Sequence, residues 1–523
     1  MATSKKAKEA PVEETEHEEV EAKAEKKPKR AAKPAKDPIE ERNAKRSFMR
    51  NLIADKVNEV ARRQNYLPTS LDVMPSMSTG SLALDYIMAG GIRPGFYVSA
   101  GEEQSGKTTS QLVTLASCIK EDVAEITFAD AEGSTGNARN YVTNIVNINN
   151  GTEFRPADVF GREDKKTGEW INPPIFRYRN DAVAEHFFDF AVGALNEMPD
   201  KRFARGEWWY VFKNTVPNKA AYGKYADKAM SRHGDGIWVP CEEGGKLQAV
   251  LFIDSVPALC PAARTEEDNN KSIGLLARIL SDNLPRLKGL LQSKMVAVFA
   301  TNQLRDNINV RAGYGPPKKE AGGNALRYFS DVRLMHSRRV TGYPLWGKLD
   351  SVEGVQGKVE LERSVLKKGD DTYFYVNIKF AKNKLSSSTR STWARIWMSD
   401  PTNEAFGFDP FFDTMQYLYN SGQLVGRGRG SLKLLLHTKP TGEIVETKVV
   451  DWFDMKRWIL GDRETKEAIA EKYGVPVVDL RAHCFKQVKH GYAEKLFNRM
   501  VDEGLLVEDV PDVSEDDDLG EVI

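Results

Sequence analysis

The chain has 523 residues, and its 75 Lys and Arg balance 75 Asp and Glu, so formal net charge is zero. That length admits two or three domains with at least one sizeable core. The four cysteines, Cys118, Cys241, Cys260 and Cys484, have neither paired spacing nor a CxxC, which argues against a disulfide scaffold or a zinc site. No run of about eighteen apolar residues and no apolar N-terminal signal core is present, so a soluble, cytoplasmic protein with reduced thiols is expected.

In chain order, residues 1–47 are mostly Lys, Ala, Glu and Pro, and bury too little apolar surface to offset the entropy of ordering. They are expected to form a disordered charged arm, acidic first and basic after, acting as a nucleic-acid tether or a solvated spacer. Residues 46–63 place Phe48, Leu52, Ile53, Val57 and Val60 at helical spacing, so 48–73 reads as a helix and linker. From 74 to 399 apolar runs at 96–100, 125–130, 249–254 and 295–301 alternate with helical periods, which predicts an α/β core on a mostly parallel, doubly wound sheet. The interval from about 150 to 246, with Trp170, Trp208, Trp209 and Trp238, is too long for a connection and reads as an inserted subdomain. Its tryptophans fit a core or a nucleic-acid platform. Segments at 331–337, 355–365, 372–381 and 392–398 look like antiparallel strands closing the sheet. Residues 400–500 read as a smaller α+β domain with helices at 410–420, 451–460 and 464–473 and a Gly-Arg turn at 426–430. Residues 501–523 form an acidic tail.

The chemistry concentrates at Gly101-Glu102-Glu103-Gln104-Ser105-Gly106-Lys107-Thr108-Thr109. This stretch lies between an apolar run and a helical one, as a phosphate-binding loop must. Its glycines let backbone N–H groups converge on a phosphate, Lys107 reaches the β/γ oxygens, and the Thr108 hydroxyl holds magnesium. A nucleoside triphosphate is the implied ligand. Asp254, ending a four-residue apolar run, is placed to hold the metal through water. Glu132, just beyond the 125–130 strand, either polarises an attacking water or caps a helix. Gln303 ends another strand on the same edge and leads into a loop, 304–321, that carries Arg305, Arg311, Lys318 and Lys319 with Tyr314. That composition suits a phosphate backbone and bases, and also a solvated loop.

With these pieces in place the chain resembles the RecA family of homologous-recombination ATPases. The matching blocks are Ser78-Thr79-Gly80-Ser81-Leu82-Ala83-Leu84-Asp85, the loop itself, Asp130-Ala131-Glu132, Ile253-Asp254-Ser255-Val256-Pro257-Ala258-Leu259, Gly274-Leu275-Leu276-Ala277-Arg278, Asn302-Gln303-Leu304-Arg305, Gly322-Gly323-Asn324-Ala325-Leu326-Arg327-Tyr328 and Lys382-Asn383-Lys384. They fall in the family's order between about 74 and 398. The resemblance implies ATP and Mg2+ as cofactors, Lys107 and Thr108 on phosphate and metal, Glu132 activating water and Gln303 sensing the γ-phosphate. It implies DNA-binding loops near 263–271 and 304–321, with Arg278, Arg305 and the turn Gly322, Gly323 and Asn324 beside the strand. It also implies that Lys382 and Lys384 reach a neighbouring subunit's nucleotide and that the 48–73 helix docks subunits.

The chain departs from the bacterial pattern after Glu132, where Gly133 to Arg139 runs two residues shorter and lacks the tyrosine that stacks on adenine. Its first loop is acidic at Glu266, Glu267 and Asp268. Its insertion and arm are more like those of a recombinase from a large tailed phage. The resulting expectation is an ATP-dependent recombinase that filaments on single-stranded DNA and pairs it with homologous duplex, with single-strand-binding and mediator proteins as further partners and no membrane. The alternatives are a RecA-fold motor such as a hexameric helicase, or a non-catalytic DNA-binding relative.

Overall fold

The computed structural model describes residues 76–204, 207–212, 230–231, 237–262, 272–306, 318–320, 323–339, 372–385, 390–399, 407–425, 432–436, 446–475 and 479–489. Its centre is a ten-stranded sheet. In chain order the principal strands are β1 (Gly95–Gly101), β2 (Glu125–Asp130), β3 (Arg177–Arg179), β4 (Ala249–Asp254), β5 (Val296–Asp306), β6 (Val332–Arg339), β7 (Thr372–Asn383), β8 (Ser391–Ser399) and β9 (Gly407–Phe408). Their order across the sheet is β9-β8-β7-β6-β1-β5-β4-β2-β3, and Lys318–Glu320 folds back on the end of β5. From β6 to β3 every pairing is parallel. The pairings from β6 to β9 are antiparallel.

Helices flank the sheet: α1 (Leu82–Ile87), α2 (Lys107–Lys120), α3 (Ser134–Asn137), α4 (Arg139–Asn150), α5 (Ala184–Glu197), α6 (Ser272–Leu291), α7 (Ala325–Phe329) and α8 (Pro410–Asn420). Alternate strand residues point to opposite faces. Tyr97, Val250, Phe252 and Phe299 pack on one face with Leu112, Val113, Val142 and Ile145 of α2 and α4. Phe96, Val98, Leu251, Ile253 and Val298 pack on the other with Phe187, Phe188, Leu280 and Leu284 of α5 and α6. Burial on both sides is why β1, β4 and β5 read as unbroken apolar runs. Phe252 stacks between Phe128 and Phe299 at centroid distances of 5.8 and 5.5 Å, and truncating such a ring costs about 3–5 kcal/mol.

Three expectations change. The 331–337 segment is not purely antiparallel: β6 runs parallel to β1 and antiparallel only to β7. The insertion does not begin at 150, because Arg177–Arg179 adds β3 to the sheet beside β2 and α5 fills the second apolar face. What stands apart from the sheet is a hairpin, Arg162–Glu163 with Trp170–Asn172, and a small antiparallel sheet built on Asp200–Ala204, Glu207–Phe212, Met230–Ser231 and Ile237–Pro240. Trp209 and Trp238 are buried there, whereas Trp170 is 54% exposed on the hairpin.

The boundary at 400 is also crossed. β9 continues the sheet, and α8 with Trp452–Leu460 joins the first apolar cluster. The junction is polar as well as apolar. Asp413 of α8 accepts from Ser81 Oγ and from the Leu82 and Ala83 amides, capping α1, and Arg481 bonds the same carboxylate at 2.8 Å. The expected helix at 46–63, the strand at 355–365, the 426–430 turn, the arm and the tail lie outside the described residues.

Candidate nucleotide-binding and catalytic site

All the parallel strands end on one edge, and the candidate residues sit there because register puts them level. Gly101 lies beside Gln303 on one side and His336 on the other, and Asp254 lies beside Asp130. The loop between β1 and α2 needs its glycines. A Cβ on Gly101 would come within 2.5 Å of the His336 carbonyl oxygen, and Gly106, with φ +77°, would drive one to 2.3 Å from Ile396. Ser105 Oγ donates to the Glu102 carbonyl at 2.8 Å, and Lys107 Nζ donates to the carbonyls of Gly101 and Glu102. The ammonium thus sits inside the loop's curve. Burial pushes its pKa down, opposed by the carboxylates of Asp254, Glu132, Glu103 and Glu102.

Asp254 is buried at the end of β4. Its carboxylate accepts from Thr108 Oγ1 at 2.8 Å and from Thr301 Oγ1 at 2.5 Å. Burial pushes its pKa up to about 6, against those two bonds and assisted by Glu132 and Asp130. An adjoining hydroxyl and carboxylate form a hard-oxygen pair of the kind magnesium takes. Glu132, exposed beyond β2, accepts from Ser255 Oγ and from Gln303 Nε2, the latter at 3.2 Å. It caps no helix. Asp130 does that, accepting from the amides of Ser134, Thr135 and Gly136 and from Tyr178 Oη. Of the two readings open in the sequence, the capping role therefore falls to Asp130 and not to Glu132.

The DNA-facing candidates lie elsewhere. Arg278, on α6, is 80% exposed and 3.8 Å from Asp282. Gly323 packs against the adjacent Ala277 with φ +73°, so the Gly323-Asn324 turn and Arg278 share one region. Arg305 pairs through its backbone with Lys319 where Lys318–Glu320 folds onto β5. Arg311, Tyr314 and Gly322 lie outside the described residues. Lys382 and Lys384 are not beside the loop. Lys382 is level with Arg333, the Lys384 amide donates to the Asp331 carbonyl, and the Asp331 amide donates to that of Phe96. Lys384 therefore sits near the start of β1, five strand steps or about 17 Å along the strand direction from Gly101, and Lys382 is level with Val98, three steps or about 10 Å along it. Lys382 Nζ bonds the carbonyls of Arg327 and Tyr328 at the end of α7.

Sequence reasoning overlooked Thr301, Asp130, Ser255's contact with Glu132, and two residues of β6. Thr301 was detectable as the last residue before Asn302-Gln303. His336 and Arg338 carried no local signal, since only sheet order brings β6 beside the loop.

A glycine-rich loop between β1 and α2 and a strand-end carboxylate one strand further than the neighbour, on a parallel α/β sheet, is the arrangement of the P-loop nucleotide-binding class. Within that class the chain is similar, over part of its length, to proteins of the RecA family. The RecA N-terminal domain model matches residues 243–367. Protein RecA of Thermus aquaticus is 31% identical over 180 residues, 34% of this chain and 44% of that protein. Protein RecA of Chlorobium chlorochromatii is 39% identical over 115 residues, 21% and 32% of the two chains. That of Halalkalibacterium halodurans is 26% identical over 243 residues, 44% and 61%. The match to the first two therefore spans less than half of each relative's length. Among the described residues no helix is long and apolar enough to cross a membrane.

Proposed function

We propose that the chain is an ATP-dependent DNA strand-exchange protein that assembles on single-stranded DNA, pairs it with homologous duplex and releases product on hydrolysis. The observation that carries this reading is the 3.2 Å bond between Gln303 and Glu132. It ties the group placed to polarise water to the strand that feeds the 304–321 loop, so a change at the γ-phosphate has a route to the DNA-facing segment. Lys107 and the loop amides hold the phosphates, and Thr108 and Asp254 are the residues that would hold magnesium. Bound there, the ion neutralises charge on the phosphate oxygens. Glu132 accepts a proton from the attacking water while Ser255 and Gln303 fix its carboxylate.

The test compares two variants. Lys107→Ala is expected to lose nucleotide binding and hydrolysis together. Glu132→Gln keeps size and hydrogen bonding, so it binds nucleotide while DNA-stimulated turnover falls by about two to four decades. Electron microscopy with single-stranded DNA and a slowly hydrolysed ATP analogue completes it: helical filaments support the reading, and closed rings make the protein a motor instead. Parent-rate hydrolysis by Glu132→Gln removes that residue from the mechanism.

A further inference from the structure

We propose that Arg338 is a second phosphate-binding cation of the nucleotide site, acting within its own chain and serving the α/β end of the phosphate chain. The proposal rests on the nucleotide-binding reading above. His336 of β6 is level with Gly101, so Arg338 stands two residues beyond the end of β1, on the same face of β6 as His336 and on the ligand edge. Its Nη1 donates to Gln104 Oε1 at 3.2 Å, and its guanidinium lies 4.4 Å from the centroid of the Phe374 ring. Both partners are neutral, while the guanidinium is exposed. An arginine seated over a ring and tethered at one N–H keeps its outward N–H groups better fixed for an anion, with less entropy left to lose on binding.

Gln104 is the tip of the loop and sits at φ +57°, a left-handed conformation that a non-glycine residue adopts at a cost of about 1–2 kcal/mol. The bond to Arg338 holds that tip toward β6. Strand order sets the direction. Asp254, Glu132 and Gln303 lie on the β5, β4 and β2 side of the loop, and Arg338 lies on the opposite side. The terminal phosphate belongs to the side with the water-activating group, so Arg338 faces the part of the ligand nearer the nucleoside.

Calorimetric titration of the full chain with ADP and with a slowly hydrolysed triphosphate analogue tests this, with thermal melting as the check on folding. Arg338→Ala is expected to weaken both ligands by the same factor, about tenfold, the scale of one charge-assisted bond. KM for ATP should rise in step while kcat stays within about twofold, since uniform binding is what is lost. Arg338→Lys keeps the charge but not the stacked fork and should recover part of the affinity. Gln104→Ala removes only the tether and should cost less than Arg338→Ala. Three results overturn the proposal: unchanged affinity in Arg338→Ala, a loss confined to the triphosphate, or equal and non-additive losses in Arg338→Ala and Gln104→Ala, which would make the arginine a brace. If the parent chain binds neither ligand, the nucleotide reading itself falls.

Discussion

The imidazole of His336 illustrates how the site's own construction sets a pH limit. Burial and the Lys107 ammonium push its pKa down to about 3, and among the described residues neither ring nitrogen has a hydrogen-bond partner. In the unfolded chain it takes a proton near its ordinary value of 6.5. Between those two values the unfolded state binds the proton and the folded state does not, so this group's contribution is intact above about 6.5 and is lost as pH falls toward 3. Melting temperature should therefore drop between about pH 7 and pH 4.5 in the parent and drop less in His336→Leu, which keeps the volume without the titrating group. Parallel curves for the two proteins would show that protonation of this ring is not coupled to unfolding. Nothing in the residues around 336 reveals this, because the groups that perturb it are more than two hundred residues distant in sequence. The placement of Lys107, Thr108 and Asp254 was legible for the opposite reason: it follows from a short motif and a strand end.

Among elements, the parallel strands were legible because burial on both faces leaves a continuous apolar run. β3 was not, since Arg177-Tyr178-Arg179 is short, charged and at the sheet's edge, where Arg177 pairs with Glu125 at 3.0 Å instead of filling a core. That Asp130 and not Glu132 caps α3 was likewise invisible in the sequence, because it depends on α3 starting at Ser134. The end of β7 carries the strongest element-scale prediction. Lys382 is crowded by burial, Lys384 and Lys288, which push its pKa down, and its ammonium donates to the Arg327 and Tyr328 carbonyls instead of to its own loop. Changing Lys382 and Lys384 to Ala should leave a folded chain that binds nucleotide weakly but lacks DNA-stimulated hydrolysis. Mixed with Glu132→Gln, it should regain part of that activity, because some interfaces then join an intact Glu132 to intact lysines. Mixed filaments that form yet hydrolyse nothing would refute a site shared between copies.

At the scale of the molecule, the sequence suggested a break near 400 because antiparallel strands give way to helices there. The break does not exist as a packing boundary. Asp413 caps α1 across 331 residues of sequence, and Arg481 closes the same knot by bonding both Asp413 and, 401 residues away, the Gly80 carbonyl, and these long-range contacts leave no periodic trace. Charge is legible at this scale. Residues 502–523 contain ten Asp or Glu and no Lys or Arg, and such a tail competes with DNA phosphates for basic loops. Deleting it should raise duplex affinity, most of all at low salt. Identical affinities with and without it across a salt titration would end that idea.

The separation between the phosphate loop and the Lys382-Asn383-Lys384 segment also limits symmetry. If the lysines complete a neighbour's site, each copy presents one surface and receives a different one. Two such chains joined about a twofold axis would complete both sites only if the lysines and the loop lay side by side on one self-complementary face. Head-to-tail contacts of this kind generate a ring when the rotation closes and a helix when it does not. The two ends of the resulting polymer are then chemically distinct, one with unused lysines and the other with an incomplete nucleotide site, so assembly and disassembly have a built-in direction.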